Sequence, residues 1–388
     1  MIKREIEQKL REYSSQFPVV LINGPRQSGK TTLCQTVFKH KPYVLLETPD
    51  LLAYANTDPR GFLKDYPDGA ILDEIQKVPD LMSYIMEIVD KKKQHGLYIL
   101  TGSQNILLLK TVKQSLAGRV GILDLLPLSI YELPGESRND HKNLIFNGGY
   151  PKIWSENLNP TTVLRAYTRT YLDRDVKDII DIRNLTTFQA FLKGCASRTG
   201  TELNLTSIGN DTGVSHTTIK EWLSVLQITN AVYLLPSYRD NRNKALIKTP
   251  KVYFYDTGLA CYLLGILSKQ VLSRDPLYGK LFENLVVSEV LKYFYNRGLD
   301  APISFYRERR GYEIDLIIEI NRELILVEIK SGMTFAPDWI KNLEMFHTRT
   351  RKPVGRRFVL YGGDEIHTIR NIKVLPFKEI RQIFNDIS

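Results

Sequence analysis

The chain has 388 residues, of which 43% are hydrophobic and 25% charged, with a formal net charge of +10. That length exceeds one ordinary core and predicts two or three globular domains, and no window approaches the ~18 uninterrupted apolar residues of a membrane span. Cys34, Cys195 and Cys261 are too scattered for a zinc site or a disulfide framework, and the basic balance favours an acidic partner such as nucleic acid without requiring one.

The first residues, MIKREIEQKLREY, predict a charged helix without the apolar stretch of a signal peptide, so a reducing cytoplasm fits best. Residues 18–22 (PVVLI) predict a short buried strand. Gly24-Pro25-Arg26-Gln27-Ser28-Gly29-Lys30-Thr31 then follows G-x-x-x-x-G-K-[ST] without a mismatch, and Thr32 onward continues as a helix. Glycines at the two fixed positions let successive N–H groups turn toward one point and form an anion nest, to which the helix N-terminus adds its positive end. Lys30 supplies a fixed charge for β- and γ-phosphates, and Thr31 a hydroxyl for Mg²⁺. Residues 24–32 are therefore expected to cradle ATP.

Residues 70–74 (AILDE) read as an apolar strand ending in two carboxylates. Asp73 is placed to hold Mg²⁺ through water, and Glu74 to polarise the attacking water or else to form a salt bridge. A further strand at 97–100 runs into Thr101-Gly102-Ser103-Gln104. Ser103, with Thr101 as its rival, is a candidate sensor of the γ-phosphate; the same residues also suit a plain strand-to-helix turn with an N-cap. Arg119, in SLAGRV, is a candidate arginine finger in cis or from a neighbouring subunit, or else a surface arginine in an ion pair. Asn147-Gly148-Gly149-Tyr150-Pro151 predicts a sharp turn opening a helical lid.

Taken in this order, GPRQSGKT, AILDE, TGS, SLAGR and GGYP resemble the bacterial and archaeal AAA-type ATPases of the branch related to signal-transducing STAND ATPases. The resemblance runs over nearly the whole chain. It implies Mg-ATP binding, a lid after the P-loop core and Arg119 as the finger, which would make a homo-oligomer. It implies no substrate. Many such proteins carry a C-terminal domain of uncharacterised function.

Residues 167–181 predict a charged helix in the lid, with Arg169, Arg174 and Asp175 as inter-domain charges or a solvated face. Residues 205–227 read as two short helices about a glycine turn, the second capped by Ser215 with Ile219, Trp222, Leu223 and Leu226 on one face. Strands at 231–237 and 251–255, with a basic tip at Asn241-Arg242-Asn243-Lys244, complete a winged-helix pattern. It would present His216, Thr217, Thr218 and Lys220 to DNA, or serve only as a packing module.

Residues 281–290 predict an amphipathic helix, followed by strands at 303–306, 312–318 and 324–330. Asp315 and Glu328 lie among apolar strand formers, where a charge is costly unless paired or metal-bound. Glu328 and Lys330 are two apart and share a face. Two carboxylates can hold a divalent metal, a nearby lysine can activate water, and Glu283 could complete the cluster. The set resembles the PD-(D/E)XK nuclease superfamily, although Ile314 stands where the literal motif has proline. A salt bridge of Glu328 with Lys330, or a nuclease fold that does not cut, accounts for the same residues; Arg307–Arg310 (RERR) would lie on phosphate backbone.

The expected architecture is α/β: a P-loop ATPase core and lid at 1–190, a winged helix at 191–262 and a restriction-endonuclease-like domain at 263–388. Two functions fit. One is an ATP-driven, DNA-directed enzyme with a metal-dependent nuclease. The other is a STAND-like regulatory switch whose C-terminal domain binds a partner without cleavage.

Overall fold

The strand that follows the charged N-terminal segment is apolar throughout, so it can be covered on both faces, and it lies mid-sheet. The computed structural model describes residues 2–102, 116–172, 185–239, 249–309 and 311–385. In it β1 (Val19–Asn23), β2 (Tyr43–Leu45), β3 (Ile71–Asp73), β4 (Tyr98–Gly102) and β5 (Val120–Asp124) form a parallel sheet in the order β2-β3-β4-β1-β5. One face packs Leu21, Leu72 and Leu100 with Phe62 and Ile85, and the other packs Val20, Ile22 and Ile99 with Leu10 and Leu33. Continuous apolar strands suit such a doubly covered parallel sheet. The functional loops leave from the carboxyl ends of these strands.

The N-terminal helix begins later than its charge pattern indicates, at Glu7, and runs to Gln16. Residues 2–6 instead lie against the P-loop region, for a reason given below. Helices His141–Asn147, Pro151–Ser155 and Pro160–Tyr167 follow β5. Of the charged helix expected over 167–181, a π turn at Thr168–Leu172 is described, and Arg174 and Asp175 lie outside the described residues. The middle segment has helices Leu205–Thr212 and His216–Ile228, separated by Gly213 at φ +69°. Asn204 and Ser215 cap them, accepting from Ser207 N and Thr218 N. An antiparallel pair follows, β6 (Val232–Leu235) and β7 (Lys251–Phe254). The basic tip at 241–244 lies outside the described residues.

The C-terminal sheet is built from β8 (Ile303–Arg307), β9 (Glu313–Ile320), β10 (Glu323–Lys330), β11 (Val354–Tyr361), β12 (His367–Ile369) and β13 (Ile372–Pro376), in the order β12-β13-β11-β10-β9-β8. Strands β9 (Glu313–Ile320) and β10 (Glu323–Lys330) form a hairpin through Asn321 and Arg322, both at positive φ (51° and 68°), the backbone that tight hairpins use. The helix Tyr278–Tyr295 corrects the amphipathic expectation. It is buried from Leu281 to Lys292 without a polar face, because it is sandwiched within one apolar core running from Leu126 to Phe384. Its polar residues are satisfied internally. Glu289 accepts from Ile130 N (2.9 Å) and Lys292 (2.7 Å), and Lys292 also donates to Leu128 O (2.9 Å). Among the described residues no helix is long and apolar enough to cross a membrane.

Candidate functional site

The loop between β1 and the helix Lys30–Val37 meets a steric requirement at each end. At Gly24 φ is +148°, and a Cβ there would lie 2.2 Å from Leu125 O. Gly29, at φ +95°, caps the helix. Both positions exclude side chains. Lys30 Nζ donates to the carbonyls of Gly24 and Pro25, each at 2.9 Å, so its charge is held over the loop. Arg26, Gln27, Thr31 and Thr32 line a cleft of about 890 Å³, which Ile2, Glu74 and Pro151 also line. Ser28 is fully buried and forms the floor of the loop.

The strand end at β3 meets this loop. Thr31 Oγ1 donates to Asp73 Oδ2 at 2.7 Å, and Tyr43 OH donates to the same oxygen at 2.8 Å. Thr101 Oγ1, fully buried at the end of β4, donates to Asp73 Oδ1. Burial and the Asp73 carboxylate together raise the Tyr43 pKa, so its phenol stays protonated as a donor. Glu74 turns into the left-handed region (φ 58°), which swings its side chain back to the loop. There it accepts from Gln76 and lies 3.5 Å from Arg26 Nη1. Thr31, Asp73 and Glu74 thus come together as read from the chain. Ser103 lies outside the described residues.

Arg4 explains why the first residues do not continue the helix. Its guanidinium donates to Ser28 O (2.6 Å), Leu126 O (2.7 Å) and Glu132 Oε1 (3.0 Å), pinning the P-loop to the segment that follows β5. Nothing in the spacing of Arg4 marks that role. The lid turn is held in the same manner. Asp256 accepts from Gly149 N (2.6 Å) and Leu259 N (2.8 Å), and a Cβ on Gly148 would collide with its carboxylate.

Arg119 is not brought to the P-loop of its own chain. It precedes β5, at the amino edge of a parallel sheet whose carboxyl edge carries the loop, and its carbonyl accepts from Val19 N. Its guanidinium is engaged by Asp90 at 2.5 and 2.8 Å. Of the readings open for Arg119, the surface ion pair is the one formed within this chain; strand direction, invisible in the motif, sets the edge.

The C-terminal residues do converge. Asp315 sits one step beyond the register pair Val327↔Leu316, so it lies beside Glu328 across the β9–β10 ladder. Asp315 Oδ2 accepts from Ile329 N (2.9 Å), and Glu328 Oε1 from Lys330 (2.6 Å). Burial and the neighbouring Asp315 push Glu328 up to about 8. Glu283 does not serve as a third open ligand. It accepts from Lys251 (2.9 Å), Lys280 (2.7 Å) and Tyr253 OH (2.5 Å). Among the described residues no group of three or more His, Cys, Asp or Glu is arranged to hold a metal ion. At the expected second metal site, Lys330 already holds one Glu328 oxygen and the Ile329 amide one Asp315 oxygen.

Residues 16–134 match the family described as AAA domain. Residues 138–270 and 278–380 match two domains of unknown function, DUF8612 and DUF4143. The N-terminal part of the chain is a P-loop ATPase domain of the AAA type. The whole is similar to the uncharacterized protein Rv2008c of Mycobacterium tuberculosis, 29% identical over 336 residues (86% of this chain, 74% of that protein). It is also similar to the uncharacterized protein MJ1544 of Methanocaldococcus jannaschii, 27% identical over 364 residues (84% and 77%). Among solved structures, the Walker-type ATPase PABY2304 of Pyrococcus abyssi aligns with a TM-score of 0.48 at 15% identity, covering 68% of this chain and 96% of that one.

Proposed function

We propose that this chain binds Mg-ATP in the cleft between residues 24–32 and the lid turn, hydrolyses it slowly, and works as a nucleotide-dependent switch on its C-terminal α/β domain. The contact of Thr31 with Asp73 carries the nucleotide part: a hydroxyl and a carboxylate side by side at the mouth of an anion nest suit a hard cation. Those two residues would hold Mg²⁺, which, when bound, neutralises charge on the β- and γ-phosphates. Lys30 binds phosphate, backbone N–H groups orient it, and Glu74 polarises the attacking water once Arg26 leaves it. Calorimetry with ATP and Mg²⁺ on wild-type and Lys30→Ala protein tests this reading. Equal heats in both would remove it.

The switch reading draws on a continuous route between the two ends of the molecule. Pro151 lines the ATP cleft, Gly149 is held by Asp256, and Asp256 follows β7, whose first residue Lys251 lies in the C-terminal acidic cluster. Such a route becomes coupling only when both sites bias one element. A constitutive PD-(D/E)XK-type nuclease draws support from the meeting of Asp315, Glu328 and Lys330, but it needs an accessible cation site. DNA contact by a winged helix at 191–262 rests on His216, Thr217 and Lys220, which are exposed on the helix His216–Ile228. Incubating the full chain with Mn²⁺, ATP and DNA separates the two readings: cleavage lost in Asp315→Ala supports the nuclease, and no cleavage supports the switch.

A further inference from the structure

The acidic cluster of the C-terminal domain contains a cation supplied by another part of the chain. Lys251 opens β7 in the middle segment and is fully buried. Its Nζ lies 2.9 Å from Glu283 Oε1 and 2.5 Å from Glu313 Oε1, over the Phe305 ring at 5.2 Å. Burial works to lower its pKa, but the carboxylates of Glu283, Asp315 and Glu313 outweigh it and raise the value, so the ammonium stays charged. The other lysines of the cluster, Lys280 and Lys330, sit at its rim with about a third of their side chains exposed. Lys251 is the inner cation.

The arrangement is clamped. Asn284, next to Glu283, uses both ends of its amide on Phe254 of β7, accepting from its N–H (2.8 Å) and donating to its carbonyl (2.7 Å). Glu202 bridges the Lys251 backbone, and Arg307 ties Glu202 (3.0 Å) to Glu313 (3.5 Å). Two carboxylate oxygens in the cluster nevertheless lack a hydrogen-bond partner, Glu313 Oε1, which has its ion pair with Lys251, and Glu328 Oε2. Glu328 Oε2 is buried without a hydrogen-bond partner, and Glu328 as a whole is 6% exposed. A buried carboxylate oxygen without a donor is costly, and a cation is the ligand that would relieve it.

We propose that Lys251 is a built-in counterion that, by pairing with Glu283 and Glu313 beside Asp315 and Glu328, keeps this acidic cluster closed to divalent cations. A tethered ammonium pairs with Glu283 and Glu313 and lies in the field of Asp315, so a hard dication brought to the same cluster would compete with its charge. This inference rests on the switch reading above. It names the lock: Asp256, which holds the lid turn, caps the helix after β7, five residues beyond Lys251 in the chain.

The test is titration of the nucleotide-free full chain with Mn²⁺ alone, by calorimetry and thermal shift. Wild type, Lys251→Met, Lys251→Gln, and each variant combined with Asp315→Asn are compared. The wild type is expected to show no Mn²⁺ site that depends on Asp315. Each Lys251 variant is expected to gain one site, and Asp315→Asn to remove it. Where a variant folds poorly, Mn²⁺ is expected to restore folding, because it replaces the missing cation and stabilises the state that binds it. A wild-type site abolished by Asp315→Asn overturns the lock. So does a Lys251 variant, folded or not, that Mn²⁺ neither binds nor rescues. ATP calorimetry on the same samples is read separately, so failure of the lock and failure of the ATPase reading are distinguishable.

Discussion

Arg26 of the phosphate loop and Glu74 of the β3 edge face each other at 3.5 Å, both largely buried. The pair links the residue that phosphate should attract to the residue that should act on water. A guanidinium prefers a phosphate, which offers more charge and a bidentate geometry, so ATP entering the cleft competes with Glu74 for Arg26. Glu74 is already in a left-handed backbone conformation, which a non-glycine residue holds only when its surroundings enforce it. Nucleotide arrival and release of the base are thus expected to be one event.

The first prediction follows from that competition. Glu74→Gln removes the charge that holds Arg26 while keeping the shape. ATP affinity should be equal to or tighter than wild type, and turnover should fall by ~10²–10⁴-fold, the usual contribution of a general base. Calorimetry with ATP and a steady-state phosphate-release assay provide the two numbers. Weakened binding with normal turnover would falsify the role given to Glu74.

The second concerns the cation. Asp73 receives hydrogen bonds from Thr31, Tyr43 and Thr101, an arrangement that orients one carboxylate toward the mouth of the P-loop. Asp73→Asn should leave Mg²⁺-free ATP binding in place and reduce the extra affinity that Mg²⁺ confers by roughly 10-fold or more, as loss of a metal-orienting group does. ATP titrations with Mg²⁺ and with a chelator measure that difference. An unchanged Mg²⁺ increment would remove Asp73 from the cation site.

What could be read from the chain and what could not divides along contact distance. The P-loop was legible because its chemistry lies at consecutive positions between a strand and a helix. Glu328 and Lys330 were legible because a period of two puts them on one face, and the Asn321–Arg322 turn folds Asp315 back beside them. Arg4 and Glu132 are 128 residues apart, and Lys251 and Glu283 are 32 apart on different elements. No local pattern announces such pairs. The motif around Arg119 leaves finger and ion pair both open, because a motif gives position along the chain but not the edge of the sheet. The helix Tyr278–Tyr295 looked amphipathic because its polar residues are paired inside the core rather than exposed.

The third prediction addresses Arg4. It is 7% exposed, and its partner Glu132 has no exposed side-chain surface. Arg4→Ala leaves that carboxylate uncompensated and frees the Ser28 carbonyl that shapes the loop. Breaking a buried pair of this kind costs about 3–5 kcal/mol. The variant should unfold at lower denaturant concentration and bind ATP more weakly, whereas Arg4→Ala/Glu132→Gln should recover much of the stability but not the affinity. Denaturant titration and ATP calorimetry on both variants check this, and full recovery of affinity in the double variant would reduce Arg4 to a stabilising ion pair.

The last prediction is a pH dependence. His141 begins the helix His141–Asn147 and packs edge-on against Phe282 and Phe377, each 5.3 Å away, with Nε2 buried and unpartnered. Burial lowers its pKa below the ordinary 6.5, with Asp140 opposing and Lys142 assisting. The sign follows from proton counting. Below 6.5 the unfolded chain takes up a proton on this histidine that the folded chain resists. The stabilising contribution is therefore fully present above pH 6.5 and is lost as the pH falls from there through the lower folded value. His141→Phe keeps the aromatic packing and removes the titration. Thermal unfolding of wild type should decline between pH 7 and pH 5 more steeply than that of His141→Phe, and parallel curves for the two proteins would show that His141 carries no part of the acid sensitivity.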